Sequence, residues 1–224
     1  MQAPRVTVHY AQSLDGRIAT CTGDSQWIGG PASLKLAHQL RADHAAVLVG
    51  VGTVLADNPR LTVRLVEGPS PRRIVVDSRL RLPLATNLLV DGAAPTCVAT
   101  TPAAPRERVE AVLQRGAEVL VVGADEHGHV DLRRLLACLA AEHGVDSVLI
   151  EGGGGVITSA LRQGVVDRLV VCIAARLIGS GVPAVGDLGV TRLCEAPGFA
   201  QARFRLLEND VIFEGLLAAP AAGD

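Results

Sequence analysis

Short apolar runs alternate along this chain with segments whose apolar positions recur at helical spacing. Runs rich in β-branched residues predict strands at Val6–Gln12, Ala45–Gly50, Arg73–Asp77, Thr96–Thr100, Glu118–Val122, Ser147–Ile150, Arg168–Ala174, Ala202–Leu207 and Val211–Leu216. The segments with helical spacing predict helices at Pro31–Ala42, Thr53–Asp57, Arg106–Arg115, Asp131–Glu142 and Gly155–Gln163. Strands that alternate with helices are typical of a mainly parallel sheet covered on both faces. We therefore predict an α/β fold.

The last two predicted strands differ from the others because no helical segment separates them. They are joined through Glu208-Asn209-Asp210, which favours an antiparallel hairpin at one edge of the sheet. No internal repeat and no long polar linker is visible in the sequence. We predict a single domain over residues 1–217 and a flexible tail over residues 218–224.

A run of glycines follows one of the predicted strands. Residues 151–155 read Glu-Gly-Gly-Gly-Gly, and glycine loses more chain entropy on ordering than any other residue. Such a turn presents backbone N–H groups at a helix N-terminus, which suits a phosphate or pyrophosphate. The carboxylate of Glu151 would repel a phosphate, so it fits a second ligand that carries N–H or O–H donors. The segment predicts a place where two ligands meet.

A second strand–glycine–helix unit contains Gly50-x-Gly52, which begins like a dinucleotide fingerprint but lacks the third glycine. Thr53 and Asp57 follow it, four residues apart and hence on one face of a short helix. Two interpretations stay open. Both side chains serve a ligand, or Thr53 caps the helix and Asp57 shapes the Asn-Pro turn after it.

Composition removes several classes of function. Net charge is −2 without a basic block, and aromatic residues make up 2% of the chain, so we expect no nucleic-acid partner. The five cysteines are widely spaced and include no C-x-x-C pair, which is typical of free thiols in a reducing cytoplasm. No secretory segment and no apolar run of membrane-spanning length is visible. We expect a cytoplasmic protein without a membrane partner.

Three further positions carry candidate chemistry. The single tryptophan, Trp27, lies in a polar, glycine-rich loop, which favours stacking on a flat ring or closing a cleft. Arg41 ends a predicted helix, where the helix dipole favours a cation regardless of function. His127-x-His129 is a possible metal pair, but it lies in a solvated turn without a third ligand at helical spacing. We predict no metal site.

Taken together, these segments resemble the reductase domain of the bifunctional deaminase–reductase of riboflavin biosynthesis. The matching motifs follow in order along nearly the whole chain: Ser13-Leu14-Asp15-Gly16-Arg17, Ser25-x-Trp27-Ile28, Leu40-Arg41-Ala42, residues 52–64, Ile74-Val75-Val76-Asp77-Ser78, Glu151-Gly152-Gly153, Gly164-Val165-Val166-Asp167 and Leu177-Ile178-Gly179. The block over residues 52–64 is highly specific. The resemblance implies a dihydrofolate-reductase-like three-layer fold, NADPH as the cofactor and a homodimer.

The resemblance also implies a reaction, in which a hydride from NADPH reaches C1′ of the ribosylamino chain of a phosphorylated aminopyrimidine and gives a ribitylamino chain. By motif, the substrate-binding residues would be Ser25, Arg41, Leu61, Arg64 and Glu151. The cofactor-binding residues would be Ala11, Trp27, Thr53, Asp57, Ser78, Gly153, Gly154, Gly155, Val156, Ile157, Thr158 and Ser159. Arg41 and Arg64 suit a 5′-phosphate by forked donation. The catalytic residue stays open, with Asp57 and Glu151 as candidates.

The chain lacks the H-x-E and P-C-x-x-C motifs of the zinc deaminases, so we expect a separate deaminase in the pathway. The substrate stays open between 5-amino-6-(5-phosphoribosylamino)uracil, which we favour, and the 2,5-diaminopyrimidinone form of the same reaction. A dihydrofolate-type or specialised-metabolism reductase is a second alternative. A non-catalytic nucleotide-binding module is a third, and the complete set of substrate residues argues against it.

Overall fold

Branched apolar residues fill the central strands because helices bury the side chains on both faces of the sheet. The computed structural model describes residues 3–218 of the chain. Within them the strands are β1 (Arg5–Ser13), β2 (Arg17–Thr20), β3 (Ala46–Gly50), β4 (Arg72–Val76), β5 (Thr96–Thr100), β6 (Glu118–Val121), β7 (Ser147–Glu151), β8 (Arg168–Ala174), β9 (Gly181–Pro183), β10 (Phe199–Leu207) and β11 (Asp210–Leu217). The α-helices are α1 (Pro31–Ala42), α2 (Val51–Asp57), α3 (Asn87–Val90), α4 (Arg106–Leu113), α5 (Leu132–His143) and α6 (Gly154–Arg162). A 3₁₀ helix covers Leu193–Glu195.

Nine of these strands form one sheet in the order β10-β11-β8-β1-β7-β3-β4-β5-β6. Neighbours from β8 to β6 run parallel, whereas β11 pairs antiparallel with both β8 and β10. The hairpin turn is Glu208-Asn209, because Asp210 already pairs with Leu207. Glu208 has a φ of 53°, in the left-handed region. The predicted mainly parallel sheet and its C-terminal antiparallel hairpin are confirmed.

Helices cover both faces of the sheet and complete the predicted three-layer α/β fold. On one face, Leu135 and Leu139 of α5 and Ile157 of α6 pack with the side chains of β1 and β7. On the other face, Leu40 of α1 and Val54 of α2 join a second apolar cluster.

Helix α5 shows how local signals fix an element. It buries Leu132, Leu135, Leu136, Leu139 and Ala140, whose spacing forms one stripe. Asp131 lies just before the helix and accepts a hydrogen bond from the backbone N–H of Arg134, as an N-cap residue does. Gly144 ends the helix with a φ of 63°. The prediction of Asp131–Glu142 is therefore correct to within one residue at each end.

The sequence patterns missed a small second sheet, in which β2 pairs antiparallel with β9. Each strand is only three or four residues long, too short for an alternating pattern to stand out. A backbone hydrogen bond from Ala184 to Gly16 (N···O 3.1 Å) holds the same two segments together. This small sheet forms one wall of the cleft described below.

Ala218 is the first residue of the predicted tail, and its N–H donates to the carbonyl of Gly198 (N···O 3.0 Å). Residues 219–224 of that predicted tail lie outside the described residues. Over residues 3–218, none of the helices combines the length and apolar character needed to cross a membrane.

Candidate active site

A cleft of about 970 Å³ opens at the carboxyl ends of the parallel strands. Open parallel sheets bind ligands at this edge, where the turns between strands and helices meet. His9 of β1, Gly50 of β3, Val76 of β4 and Glu151 of β7 line its floor. The loop over residues 23–30 and the β2–β9 sheet form further parts of the wall. Four strands far apart in sequence thus contribute to one surface.

Most of the residues that the motifs single out meet in this cleft. Those that line it are Ala11, Ser25, Trp27, Arg41, Thr53, Asp57, Leu61, Ser78, Glu151, Gly153, Gly154, Gly155, Val156 and Ser159. Ile157 lies apart from it, because its side chain is fully buried in the core. Thr158 donates to the carbonyl of Gly154 (O···O 2.6 Å) and lines a smaller adjoining cavity of about 410 Å³. Arg64 lies beside the cleft rather than in its lining.

An ion pair between Arg41 and Glu151 organises one end of the cleft, which we call the substrate end after the substrate-binding residues that the motifs predict there. Nε of Arg41 donates to Oε1 of Glu151 and Nη2 donates to Oε2, both at 2.7 Å. Nη1 of Arg41 donates to the carbonyl of Thr62 at 3.1 Å. The two side chains are only 12% and 11% exposed. The guanidinium fork that would suit a phosphate is therefore engaged by Glu151.

Arg64 is placed by a buried histidine of α1. His38 is 1% exposed, and its Nδ1 accepts the backbone N–H of Arg64 at 2.9 Å. Burial, together with the nearby charges of Arg41 and Arg64, lowers the pKa of His38 to about 4. His38 is therefore neutral near pH 7, as an acceptor at Nδ1 must be.

The guanidinium of Arg64 has no carboxylate partner among residues 3–218. It donates from Nη1 to Oγ1 of Thr62 at 2.7 Å, and Arg64 is an exposed residue. Desolvation and the charges of Arg41 and Arg60 lower its pKa, so three cations share this corner. A group of cations with unused donors attracts an anion.

His9 is a further buried residue of the substrate end, and the sequence patterns did not single it out. It pairs in register with Glu151 of β7 on one side and with Val170 of β8 on the other. Its Nδ1 lies 3.0 Å from the carbonyl oxygen of Val170, and the side chain is 5% exposed. Burial lowers the pKa of His9, while the charge of Glu151 raises it. The sequence signal that could have identified His9 is a polar residue at a position of β1 where a buried apolar residue is expected.

Backbone groups dominate the part of the cleft that adjoins Glu151 on the α6 side, which we call the cofactor end after the cofactor-binding residues that the motifs predict there. Gly152 and Gly153 have φ values of 75° and 83°, and Gly153 precedes the first residue of α6. Residues with a Cβ rarely adopt this conformation, which explains glycine at both positions. The N–H groups of Gly154, Gly155 and Val156 have no hydrogen-bond partner within the described chain. The predicted turn thus presents free backbone donors, and binding of an anion to them stays a prediction.

Thr53 faces the same turn, since a Cβ on Gly153 would lie 3.1 Å from its Oγ1. Helix α2 begins at Val51 with Gly50 before it, so Thr53 lies inside the first turn and does not cap the helix. The capping interpretation of Thr53 is therefore wrong. Asp57 accepts a hydrogen bond from Oγ of Ser25 at 3.2 Å across the cleft.

The turn after α2 is shaped by Asn58 rather than by Asp57. Asn58 has a φ of 41°, and its side-chain oxygen accepts from Thr86 Oγ1 and from the backbone N–H of Asn87, both at 2.8 Å. Asp57 is thus left to face the cleft, and the turn-forming interpretation of its side chain is wrong as well.

Trp27 lines the cleft with 67% of its surface exposed and with a φ of 62°. Its loop is anchored at the far end by Asp210 of the C-terminal hairpin. Oδ2 of Asp210 accepts from the backbone N–H of Gly30 at 2.8 Å and from Oγ of Ser33 at 2.5 Å. Trp27 thus lies in the lining of the cleft, and its stacking on a flat ring or closing of the cleft stays a prediction.

Two arginines that the motifs did not single out, Arg79 and Arg81, also line the cleft within three residues of Ser78. His127 and His129, on the turn after Asp125, line the same cleft. The backbone N–H groups of both histidines donate to Oδ1 of Asp125 at 2.9 and 2.8 Å. These two histidines belong to no group of three potential metal ligands in the described part of the chain.

Comparison with known proteins gives a consistent set of similarities. The family model described as the RibD C-terminal domain matches residues 4–215. The chain is 40% identical over 216 residues to the 2,5-diamino-6-ribosylamino-4(3H)-pyrimidinone 5′-phosphate reductase of Methanothermobacter thermautotrophicus, covering 94% of this chain and 97% of that protein. It is 37% identical to the riboflavin biosynthesis protein RibD of Aquifex aeolicus, covering 94% of this chain and only 57% of that protein. The chain thus spans little more than half of its RibD relatives.

Solved structures agree with the fold. A deaminase/5-amino-6-(5-phosphoribosylamino)uracil reductase from Thermotoga maritima has a TM-score of 0.78 at 29% identity, covering 96% of this chain and 57% of that one. A dihydrofolate reductase from Enterococcus faecalis has a TM-score of 0.54 at 13% identity, covering 96% of this chain and 97% of that one. The predicted dihydrofolate-reductase-like fold is confirmed.

Proposed function

Since this chain belongs to the RibD C-terminal domain family, we propose that it reduces the ribosylamino chain of a phosphorylated 5-aminopyrimidine to a ribitylamino chain in riboflavin biosynthesis. The observation that carries the proposal is the cleft, in which a glycine turn with free backbone N–H groups adjoins a buried carboxylate held by a guanidinium. A reductase that joins a pyrophosphate-containing cofactor to a polar heterocycle needs both features side by side.

The residues of the substrate end fit a ligand that carries both hydrogen-bond donors and a phosphate. The Glu151 carboxylate, which accepts from Arg41, fits the N–H groups of an aminopyrimidine or the hydroxyls of its ribose. Arg64, whose guanidinium has no carboxylate partner within residues 3–218, fits the 5′-phosphate together with neighbouring Arg60. Arg41 supports this end by holding both oxygens of Glu151.

The cofactor end supports NADPH. The free N–H groups of Gly154, Gly155 and Val156 fit a pyrophosphate. Arg79 and Arg81 line the cleft next to Ser78 and fit a 2′-phosphate, which distinguishes NADPH from NADH. When bound, NADPH supplies a hydride from its nicotinamide ring, and the protein contributes chiefly by positioning the accepting carbon.

Two pyrimidines undergo the same reduction, and we favour the uracil form as substrate. One observation favours the 2,5-diaminopyrimidinone form: the archaeal relative named for it matches this chain over 97% of its own length. Either choice places the deamination step outside these 224 residues, which lack the zinc deaminase motifs.

The test is NADPH oxidation, followed by the fall in absorbance of the reduced nicotinamide, with each ribosylaminopyrimidine phosphate and with dihydrofolate. We expect turnover with a ribosylaminopyrimidine phosphate and a ribitylamino product that is two hydrogens heavier. Turnover of dihydrofolate alone would instead establish a dihydrofolate-type reductase. NADPH binding without turnover of any of the three would support a nucleotide-binding module.

We also propose a cytoplasmic homodimer. Leu193, Phe204 and Leu206 are 91%, 69% and 78% exposed, and two of them lie on the edge strand β10. An apolar edge strand of this kind is a ready surface for a second copy. Light scattering after size-exclusion chromatography is expected to give twice the mass of one chain.

A further inference from the structure

The buried ring of His9 is a titratable group of the cleft to which the motifs give no role. It projects from the centre of the sheet, between β7 and β8, on the face that carries Glu151. Its register partners place the imidazole beside the Glu151 carboxylate, at the substrate end.

The hydrogen bond to Val170 fixes which tautomer the ring adopts. A carbonyl oxygen only accepts, so Nδ1, at 3.0 Å from it, carries the proton. Burial lowers the pKa of His9, which keeps the ring neutral near pH 7. Nε2 is then an acceptor, and within residues 3–218 it has no hydrogen-bond partner of its own.

Nearby protein groups do not supply the missing donor. Both carboxylate oxygens of Glu151 accept hydrogen bonds from Nε and Nη2 of Arg41. Nη1 of Arg41 donates to the carbonyl oxygen of Thr62. No hydrogen bond joins His9 to Glu151 in the described part of the chain. The cleft floor therefore presents two neighbouring acceptors, the Glu151 carboxylate and the His9 Nε2.

We propose that His9 is a substrate-contacting residue whose Nε2 accepts a hydrogen bond from an N–H or O–H group of the pyrimidine substrate, next to the donor that Glu151 accepts. This inference rests on the proposed function and adds a specificity determinant to it. It selects ligands that present two neighbouring donors, as an aminopyrimidine with its attached ribosylamino group does. A ligand that placed a hydrogen-bond acceptor opposite Nε2 of His9 would be repelled by the lone pair of that nitrogen and would bind less tightly.

Two variants separate contact with substrate from a structural role. In His9→Asn, the side-chain NH₂ takes the position of Nδ1 and can still donate to the carbonyl of Val170. No atom of the shorter side chain replaces Nε2, so the acceptor for the substrate is lost. In His9→Gln, the longer side chain returns an amide oxygen toward the place of Nε2. We expect His9→Asn to raise KM for the pyrimidine phosphate about 10-fold to 100-fold, the usual effect of one lost hydrogen bond in a dry site. The Kd for NADPH and the thermal midpoint should change little, and His9→Gln should recover most of the loss.

An unchanged KM in a folded His9→Asn variant would overturn the proposal, and so would an equal loss of pyrimidine and NADPH binding. A wild-type protein that reduces neither pyrimidine would overturn the proposed function and this inference together, which distinguishes the two failures. Should the variants fail to fold, nitrogen NMR of the wild-type ring decides. Substrate added with oxidised NADP should shift the Nε2 resonance and leave that of Nδ1 in place, whereas an unmoved Nε2 resonance would contradict the contact.

Discussion

The two ends of the cleft are built in opposite ways. At the substrate end, the charged side chains of α1 and β7 bind each other before any ligand arrives, as the doubly hydrogen-bonded pair of Arg41 and Glu151 shows. The donors of Arg64 and Nε2 of His9 are left for a ligand beside that pair. At the cofactor end, one continuous turn leaves the N–H groups of residues 154–156 without partners. A preformed side-chain network gives specificity for one ligand, whereas free backbone donors give affinity for a phosphate of any origin.

Removal of one partner of the Arg41–Glu151 ion pair should have the largest effect of the variants considered, because it disrupts the preformed network of the substrate end. In Glu151→Ala, Arg41 keeps its charge in a site that is about nine-tenths buried, so we expect the free energy of unfolding to fall by about 3 kcal/mol. Pyrimidine turnover should be lost. Urea unfolding and the NADPH assay measure the two effects.

The control is a double variant, Arg41→Met with Glu151→Leu, which removes both charges. It should regain most of the stability and none of the activity. A single variant less than about 1 kcal/mol below wild type would show that the pair is not a fixed part of the site.

Two glycine variants test the cofactor end by giving opposite effects on stability. Gly153→Ala places a Cβ at a φ of 83° and within 3.1 Å of Thr53 Oγ1, which should cost about 1–2 kcal/mol. Gly155→Ala meets nothing within 4 Å inside a helix and should stabilise by about 0.5–1 kcal/mol.

Binding of NADPH sharpens that result, because both variants add a methyl group beside the free N–H groups. We expect isothermal titration to show weaker NADPH binding in both, including the stabilised Gly155→Ala. An unchanged affinity of Gly155→Ala for NADPH would show that no cofactor phosphate binds at this turn.

Arg64→Ala tests whether the two ends act separately. Loss of the guanidinium should raise KM for the pyrimidine phosphate about 10-fold to 100-fold, as expected when a charged hydrogen bond is lost. The Kd for NADPH should stay within about twofold, because the N–H turn is elsewhere in the cleft. A matched control is Arg106→Ala, whose side chain is 93% exposed and should matter to neither ligand. Equal losses for both ligands would contradict the division.

The smallest effect concerns pH and the neutral His38 that holds the backbone of Arg64. Its pKa is about 4 in the folded protein, against 6.5 for an unperturbed histidine. Between these values the unfolded chain binds the proton and the folded chain does not, so stability should fall as pH drops from 6.5 to about 4 and level off below.

His38→Asn keeps an acceptor near the Arg64 N–H but cannot titrate, so its stability should depend less on pH in that window. Part of the dependence that remains comes from His9 and His44, whose pKa values burial also lowers, and part from carboxyl groups such as Asp15, whose pKa hydrogen bonds lower to about 2. Identical pH profiles for the two proteins, measured by urea unfolding, would show that His38 is not the group responsible.

The same contrast explains what the sequence could and could not predict. The glycine turn of the cofactor end is local in sequence, so the glycines after β7 and the apolar periods around them sufficed to place that turn together with the strand before it and the helix after it. The substrate end is assembled over long distances, since Arg41 and Glu151 are 110 residues apart. Sequence patterns and family motifs could single out both residues. They could not show that Arg41 binds Glu151 instead of a phosphate. His9 was missed because its role depends on its neighbours in the sheet.

The central claim, that one cleft brings a cofactor hydride to C1′ of a ribosylaminopyrimidine, is tested most directly by isotope transfer. Wild-type protein would be given the pyrimidine phosphate and NADPH carrying deuterium at both C4 positions of the nicotinamide, and the product would be examined by NMR and mass spectrometry. We expect one deuterium at C1′ of the ribitylamino chain, and none at C1′ when unlabelled NADPH is used in deuterated water. A reduced product without cofactor deuterium at C1′, or no reduced product, would contradict the account.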